Sequence, residues 1–506
     1  MWEEPSVVRG TFYLTLQNAA MYLSSLVFYV VLTRILTQDE VGAVSLLIFA
    51  LTASQTLTTL SIPMAVAKYV SEREWGISPP IEVVKSALRI MAFFTTPCIA
   101  VLIALSPKVA EAMNYSSFSI PLAIVFVTAY VLGYAQISYS VLWGMGRFRQ
   151  MLLAYLNYLL LGKMIALFLA WLGYGVLGVS LGLLIGGVLF LILGWIYACA
   201  IFQVDVEGSS PFPARILLSY SLPLVLSASI MLAQKWVDVL VLYALTTSLP
   251  STGIYYLSAN SAWMLSMIWN AVAVAAFPRI SLEWVRGNVK ALEHILSQSL
   301  RLLAFLTISA GLIGASLAKL GVELVYGESY LPGAYPLALL LAFSTIPAWN
   351  SLLNYSLRAL GKTTVIFRAA LLAMVAELFS LAAFVEALGL VGAALARVLM
   401  TLTLFIVYYW AIREYVRPRI DVVCLARVAV FSVAVAVPAY CVDTALSSFN
   451  ICLRFFVDLS VVLLASLIAG FLIKPLPRED FELLLEISPQ STKWLVKRIA
   501  PLISSP

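Results

Sequence analysis

Charge is scarce in this 506-residue chain: Asp, Glu, Lys and Arg make up 11% of it, against about 25% in a typical soluble domain. With 62% hydrophobic residues and a mean hydropathy of +0.99, the chain cannot cover a water-facing surface. Lipid must be its main solvent. Histidine occurs once, at His294, and we read it as a solvated loop residue beside Glu293 and Lys290. One histidine and no long outer loop leave a catalytic constellation nowhere to form, so an enzyme is not expected. Five cysteines are present without C-x-x-C or other metal-ligand spacing, so neither a metal nor a cofactor is expected. Cys98, Cys199 and Cys424 fall in apolar runs as small hydrophobes. Cys441 and Cys452 flank an outward loop and are a candidate disulfide. No basic patch interleaves with aromatics despite the net charge of +6, which argues against nucleic acid as a partner. SLRALGKT, ending at Thr363, lacks the first glycine of a nucleotide-binding loop, so Lys362 reads as an ordinary inner-loop cation.

What the chain does have is long apolar runs, each near the twenty residues that cross a bilayer as a helix. Spans read at approximately 12–33, 41–67, 84–106, 119–143, 152–171, 176–202, 216–241, 252–277, 299–320, 334–356, 364–386, 390–411, 424–446 and 453–473. They are too long for barrel strands, so the expected fold is an all-α integral membrane protein of about fourteen transmembrane helices. The opening MWEEPSVVRG is acidic where a secretory signal would be basic, so the first run is expected to remain as a span. Lysine and arginine concentrate on one side of the alternating segments. The outer segments hold only Arg34, Lys108, Lys319 and Arg454 of the 31 basic residues. The positive-inside rule then places both termini in the cytoplasm.

The spans repeat. Gly42 after span 1 answers Gly253 after span 7, an offset of 211. YSVLWGMGR around Gly146 answers YSLRALGK around Gly361, an offset of 215. GVLGVSLG from Gly175 answers GLVGAALA from Gly389, an offset of 214. Six spans per repeat give both halves the same orientation, related by a pseudo-twofold axis along the membrane normal. The expected organisation is an N-lobe at 1–203, a cytoplasmic linker at 204–215 and a C-lobe at 216–412. Two further spans follow at 413–473, then an amphipathic cytoplasmic tail at 474–506, with FELLLEI and KWLVKRI on the inner leaflet.

Lys163, Lys235, Asp238, Glu377 and Arg397 are the ionisable residues placed inside spans. Burying a charge in hydrocarbon costs at least about 2.5–3.5 kcal/mol, so such residues face a cavity or a partner. The 214 offset maps Lys163 onto Glu377, a pair able to line or bridge a central cleft. Lys235 and Asp238, three apart on one helix, partly neutralise each other. Packing ion pairs and snorkelling side chains are the plainer alternative. Arg34 adds to a slight positive excess that suits an anionic group such as phosphate. Gln136 and Asn350 also coincide under the 214 offset, although interhelical hydrogen bonding explains most such residues. Gly178, Gly182 and Gly186, spaced by four, mark a close helix-packing face.

TRILTQDEVGAVSLL carries an Arg-x-Leu-x-x-x-Glu-x-Gly pattern, with Val41 where an aromatic is usual. Together with SIPMAVAKYVSE, AAFPRISLEW and the paired glycine turns, it resembles the polysaccharide transporter, or oligosaccharide flippase, branch of a larger superfamily. That superfamily also holds multidrug and toxin extruders and lipid II flippases. Fourteen spans suit this branch; the drug-extruding branch typically has twelve, often with an acid in span 1, where this chain has Gln17 and Asn18. The resemblance implies alternating-access flipping of a polyprenyl phosphate- or pyrophosphate-linked oligosaccharide to the outer leaflet. Arg34, Lys163, Lys235, Arg397, Gln136 and Asn350 are then candidate substrate-binding residues, and Asp238 and Glu377 candidate coupling or charge-balancing acids. Implied partners are membrane lipid, a coupling ion (Na+ or H+), and a glycan polymerase or glycosyltransferases. The alternative is a cation-coupled exporter of small organic molecules.

Overall fold

The computed structural model describes residues 7–72, 79–200, 202, 211–477, 480 and 504–505. Among these the chain is helical almost throughout, as lipid requires: with no water to bond, each backbone N–H and C=O must find its partner within the segment. In chain order the helices are α1 Val7–Ile35, α2 Gln38–Thr58, α3 Ile62–Ser71, α4 Pro80–Ala112, α5 Ser119–Gly144, α6 Phe148–Leu156, α7 Lys163–Leu169, α8 Gly175–Cys199 and α9 Ala214–Thr246. There follow α10 Leu249–Trp263, α11 Ser266–Val285, α12 Val289–Ser316, α13 Ala318–Val325, α14 Ala334–Ala342, α15 Thr345–Ala359, α16 Thr363–Arg413, α17 Val422–Ala445 and α18 Ile451–Ile473.

Among the described residues, ten helices are long and apolar enough to cross a membrane, or eleven if the bent pair Glu328–Ala342 and Thr345–Ala359 is one span. The chain is a multi-pass membrane protein. Two of the ten run far beyond one bilayer: Phe148–Cys199 has 52 residues and Thr363–Arg413 has 51. At 1.5 Å per residue each would reach about 75 Å if straight, more than twice a hydrocarbon core of about 30 Å. Both are broken by glycine. Gly175 sits at φ 52°, ψ −133°, and Gly389 at φ 54°, ψ −125°. These positions lie 214 residues apart and share a conformation that a side chain rarely adopts. Gly146 and Gly361, 215 apart, likewise share φ values of 69° and 73°. Two of the glycine pairs matched in the sequence thus share backbone angles.

The chain divides into two compact units, Met1–Trp236 with Thr247–Gly253, and Val237–Thr246 with Ile254–Pro506. The first has a core of Ile62, Val66, Val83, Met91, Ile137 and Val141, drawn from α3, α4 and α5. The second buries Leu296, Leu303, Leu352, Leu357, Ala369 and Tyr408, drawn from α12, α15 and α16. In the first unit the turn into α2 is closed by a capping box. The Glu40 N–H donates to Thr37 Oγ1 at 3.4 Å, and the Thr37 N–H to Glu40 Oε2 at 3.0 Å. Two of the helix's orphan donors are thereby satisfied.

Three sequence expectations need correction, and one open question is answered. The run 41–67 is interrupted: Leu60 and Ser61 take positive φ ahead of Pro63, and α3 starts afresh. His294 lies on α12, exposed, because that helix begins at Val289, before the apolar run does. The outer segment 320–334 is itself helical, with α13 and a 3-10 turn at Glu328–Gly333. Cys441 and Cys452 are free thiols, both exposed. The linker at 204–215 is described only from residue 211, and the tail segments FELLLEI and KWLVKRI lie outside the described residues. Where the tail is described, Leu476–Pro477 pairs in parallel with Ser504–Ser505, and Asp480 forms an ion pair with Arg301 at 2.9 Å.

Candidate functional site

In the first unit the site is built around Lys163. This residue opens α7, a seven-residue α-helical piece held between π-helical stretches at Asn157–Gly162 and Ala170–Tyr174. A π turn inserts an extra residue and rotates the following side chains out of α register; such bulges occur frequently at functional sites. The piece is positioned by the glycine stripe of α8. A Cβ at Gly182 would overlap the Ala166 backbone, and one at Gly186 would meet the Gly162 backbone. Only glycine lets the two backbones approach so closely.

Held there, the Lys163 ammonium donates to Ser25 Oγ at 2.9 Å and Ser24 Oγ at 3.1 Å, and lies 5.9 Å from the Phe28 ring centroid. No carboxylate among the described residues pairs with it. The same face of α1 presents Gln17, whose Nε2 donates to the Tyr139 hydroxyl at 3.0 Å. Tyr139, Tyr155 and Tyr158 gather round Phe190 at centroid distances of 5.6–6.2 Å. One ammonium with two hydroxyls suits an anionic oxygen, while aromatic faces and a carboxamide suit a polyhydroxylated ring.

The second unit holds a different arrangement. Asp238 on α9, Tyr255 on α10, and Glu377 and Arg397 on either side of the Gly389 bend in α16 form one cluster. Arg397 lies 2.6 Å from Asp238 Oδ1, and its Nε lies 3.8 Å from Glu377 Oε1. The Tyr255 hydroxyl donates to Asp238 Oδ2. Asp238, Tyr255 and Glu377 are all fully buried. Neither oxygen of Glu377 accepts a hydrogen bond among the described residues. Two acids thus share one guanidinium, so removing the arginine would strand both buried charges.

The remaining candidates are scattered. Lys163 and Glu377, equivalent under the repeat, each find partners within their own unit. Asp238 takes Arg397 as its ion-pair partner, while Lys235, expected to neutralise it, lies 5.6 Å from the Trp236 ring centroid. Asn350 is buried and ties α15 to α16, its Nδ2 donating to the Thr401 carbonyl at 2.7 Å. Gln136 is half-buried on α5, and Arg34 is exposed in the last turn of α1. Sequence reasoning missed the tyrosine wall, since aromatic spacing on apolar helices carries no signal of its own. It also placed Arg454 in an outer segment and left Asp443 and Asp458 out. Arg454 is buried on α18 and bonded to Asp443 and Glu323. The spacing of Arg454 and Asp458, one turn apart in an apolar run, was the available clue.

Comparison with known proteins gives the frame for these residues. A family model described as "Polysaccharide biosynthesis protein" matches residues 7–283, more than half of the chain. The chain belongs to that family. Among curated relatives, the "Probable low-salt glycan biosynthesis flippase Agl15" of Haloferax volcanii is 27% identical over 192 residues, which is 37% of this chain. The match spans 39% of that relative's length. Among solved structures, one described as "Lipid II flippase MurJ, inward closed conformation" superposes with a TM-score of 0.66 at 15% identity, covering 90% of this chain and 98% of that one. An inward-facing multidrug resistance MATE transporter of the MOP superfamily gives 0.63 at 14% identity, covering 78% and 94%. Both likenesses show the fold. These relatives are flippases and transporters, not enzymes.

Proposed function

We propose that this family member flips a lipid-linked oligosaccharide, carried on a polyprenyl phosphate or pyrophosphate, from the cytoplasmic to the outer leaflet by alternating access. The observation that carries the reading is Lys163: a cation on a π-bounded helical piece, held by two serines and no acid, against the helix that also presents Gln17 to Tyr139. The phosphate meets the ammonium and the hydroxyls, the sugars meet Gln17 and the tyrosines, and the oily tail stays in lipid. Arg397 is neutralised within its own cluster, so Asp238 and Glu377 balance charge there rather than meeting substrate. The Agl15 name and the family description support a glycolipid cargo.

The fourteen-span reading completes the proposal. Each helix broken at glycine counts as two spans, and α10 with α11 counts as one, which adds three to eleven. Both termini then lie in the cytoplasm, each repeat of six spans forms a lobe, and α17 and α18 stand outside the repeat. Membrane lipid, a coupling ion and the enzymes that build and polymerise the glycan are the expected partners.

A second reading has one observation behind it, since the MATE structure superposes almost as well as MurJ. It makes the chain an exporter of small organic molecules. Against it, α1 carries no acid along Val7–Ile35. Reconstitution in vesicles with a labelled lipid-linked oligosaccharide separates the two. The flippase reading expects label to reach the opposite leaflet in a protein-dependent way, and Lys163→Ala to stop it. Efflux of organic cations without glycolipid movement would sink it.

A further inference from the structure

A second buried acid cluster lies where α17 and α18, the helices outside the repeat, meet α13. Arg454, near the start of α18, donates from Nε and one terminal nitrogen to Asp443 Oδ1 on α17, at 3.1 and 2.7 Å. Its other terminal nitrogen donates to Glu323 Oε2 on α13 at 3.1 Å. One turn further along α18 is Asp458, 1% exposed, within Coulombic reach of both Asp443 and Arg454. Neither carboxylate oxygen of Asp458 has a hydrogen-bond partner among the described residues.

Three carboxylates therefore share one guanidinium, and that guanidinium turns its bonded N–H groups to the other two acids. An ionised carboxylate buried without a donor is too costly to persist; several kcal/mol of desolvation go uncompensated. Either a proton or a bound cation must therefore offset the charge of Asp458. Basic residues on the helices meeting here do not supply the offset: Arg454 is already engaged, and Lys319, on the first turn of α13, is exposed. No group of three or more acidic, histidine or cysteine side chains among the described residues is arranged to hold a metal ion, so the charge and ligand number needed to strip a divalent ion are missing. A monovalent ion keeps part of its water and asks for less.

We propose that Asp458, with Asp443 beside it, is the anchor of a site for an alkali-metal cation, Na+ or K+, at the junction of α13, α17 and α18. The ion offsets the excess negative charge and so holds α18 against α17. It binds in helices that carry none of the substrate candidates, so the proposal stands or falls separately from the glycolipid reading.

The test uses the full-length protein in lipid nanodiscs, dialysed into choline chloride. NaCl or KCl then replaces choline at constant ionic strength, while thermal unfolding and equilibrium binding of radioactive Na+ are followed. Wild-type protein is expected to melt several degrees higher in one of the alkali salts than in choline, and to bind the ion saturably. Asp458→Asn is expected to melt at one temperature in all three salts, with affinity for the ion lowered about tenfold or more. Asp458→Leu serves as a second variant should the asparagine fail to fold, because it also removes the charge that needs compensating. Identical melting of the wild type in choline, Na+ and K+ overturns the proposal. So does a salt response retained in the Asp458 variants, or a response to pH alone, which assigns the position to a proton.

Discussion

Lys163 in one unit and Glu377 in the other stand at equivalent places in the repeat, yet their surroundings are opposites. The backbone frame is shared: Gly175 and Gly389, 214 residues apart, adopt the same unusual angles. Under the same offset Ser24, which accepts from Lys163, corresponds to Asp238, which accepts from Arg397. The first unit thus fills its positions with a lysine and a serine, leaving a cation without an acid. The second fills them with two acids and adds an arginine from beyond the glycine bend. The two surroundings thus carry opposite charge: a cation without a carboxylate partner in the first unit, and two acids around one guanidinium in the second.

The sharpest way to break this comparison is Arg397→Ala. Removing the cation strands Asp238 and Glu377 in a buried site, a loss of about 3–5 kcal/mol for a broken buried pair. The expected result is a collapse of monodisperse protein in detergent extracts, read by fluorescence-detected size exclusion. Adding Glu377→Gln to that variant should recover part of the loss, because one stranded charge is then gone. An Arg397→Ala protein as stable as the wild type would mean that Arg397 does not offset the two buried acids.

Lys163→Ala should do the reverse. The lysine has no acid to strand, so melting temperature is expected to change little. Glycolipid translocation is expected to fall about ten- to a hundredfold, matching the 1.5–3 kcal/mol of a charge-assisted hydrogen bond. Lys163→Arg keeps the charge and should retain much of the rate. Equal loss of stability in Lys163→Ala and Arg397→Ala would erase the distinction between the units.

Much of the frame was legible in the sequence because hydropathy, glycine spacing and basic-residue placement each report one-dimensional facts. Long apolar runs give helices, and the repeated glycines give the bends that divide α16 and separate α7 from α8. The equivalence of Lys163 and Glu377 also follows from register alone. What register does not give is a partner from a different helix. Arg397 reaches Asp238 and Glu377 only because the chain turns back at Gly389, and Asn350 reaches Thr401 across a helix pair. The break at Leu60 and Ser61 was hidden because neither is a residue that favours positive φ, and Pro63 alone hinted at it. Arg454 and Asp443 were missed because each sits near a helix end, where a charge reads as exposed, and Asp458 because its partners come from the residue one turn before it and from another helix.

A smaller effect is expected from Tyr255→Phe, which removes the phenolic donor from Asp238 but leaves Arg397 in place. A hydrogen bond to a charged group is worth about 1.5–3 kcal/mol, and Arg397 should cushion its loss toward the lower end. Members of one network do not add. In an Arg397→Lys background, where the fork geometry is lost, Tyr255→Phe should therefore cost more than it does alone. Thermal unfolding of the two single variants and the double variant measures the coupling. Simple additivity would show that tyrosine and arginine act independently on Asp238.

The smallest expected effect tests how the shared frame differs in packing. Gly182 on α8 corresponds under the 214 offset to Ala396 on α16, which is fully buried with its methyl in place. The second unit therefore tolerates at that position a group that in the first would overlap the Ala166 backbone. Gly182→Ala should lose about 1–3 kcal/mol to overlap while regaining about 1 from helix propensity, for a net cost near 1 kcal/mol. Ala396→Gly should cost about the same, but for a different reason: lost helix propensity and a lost methyl contact. Stability alone then cannot separate the two, and transport can. Pushing α7 away from α8 displaces Lys163, so Gly182→Ala should slow glycolipid movement severalfold more than its stability change suggests. Ala396→Gly, acting near a closed cluster, should leave transport in step with stability. If both variants slow transport equally, the close approach of α7 and α8 is packing and nothing more.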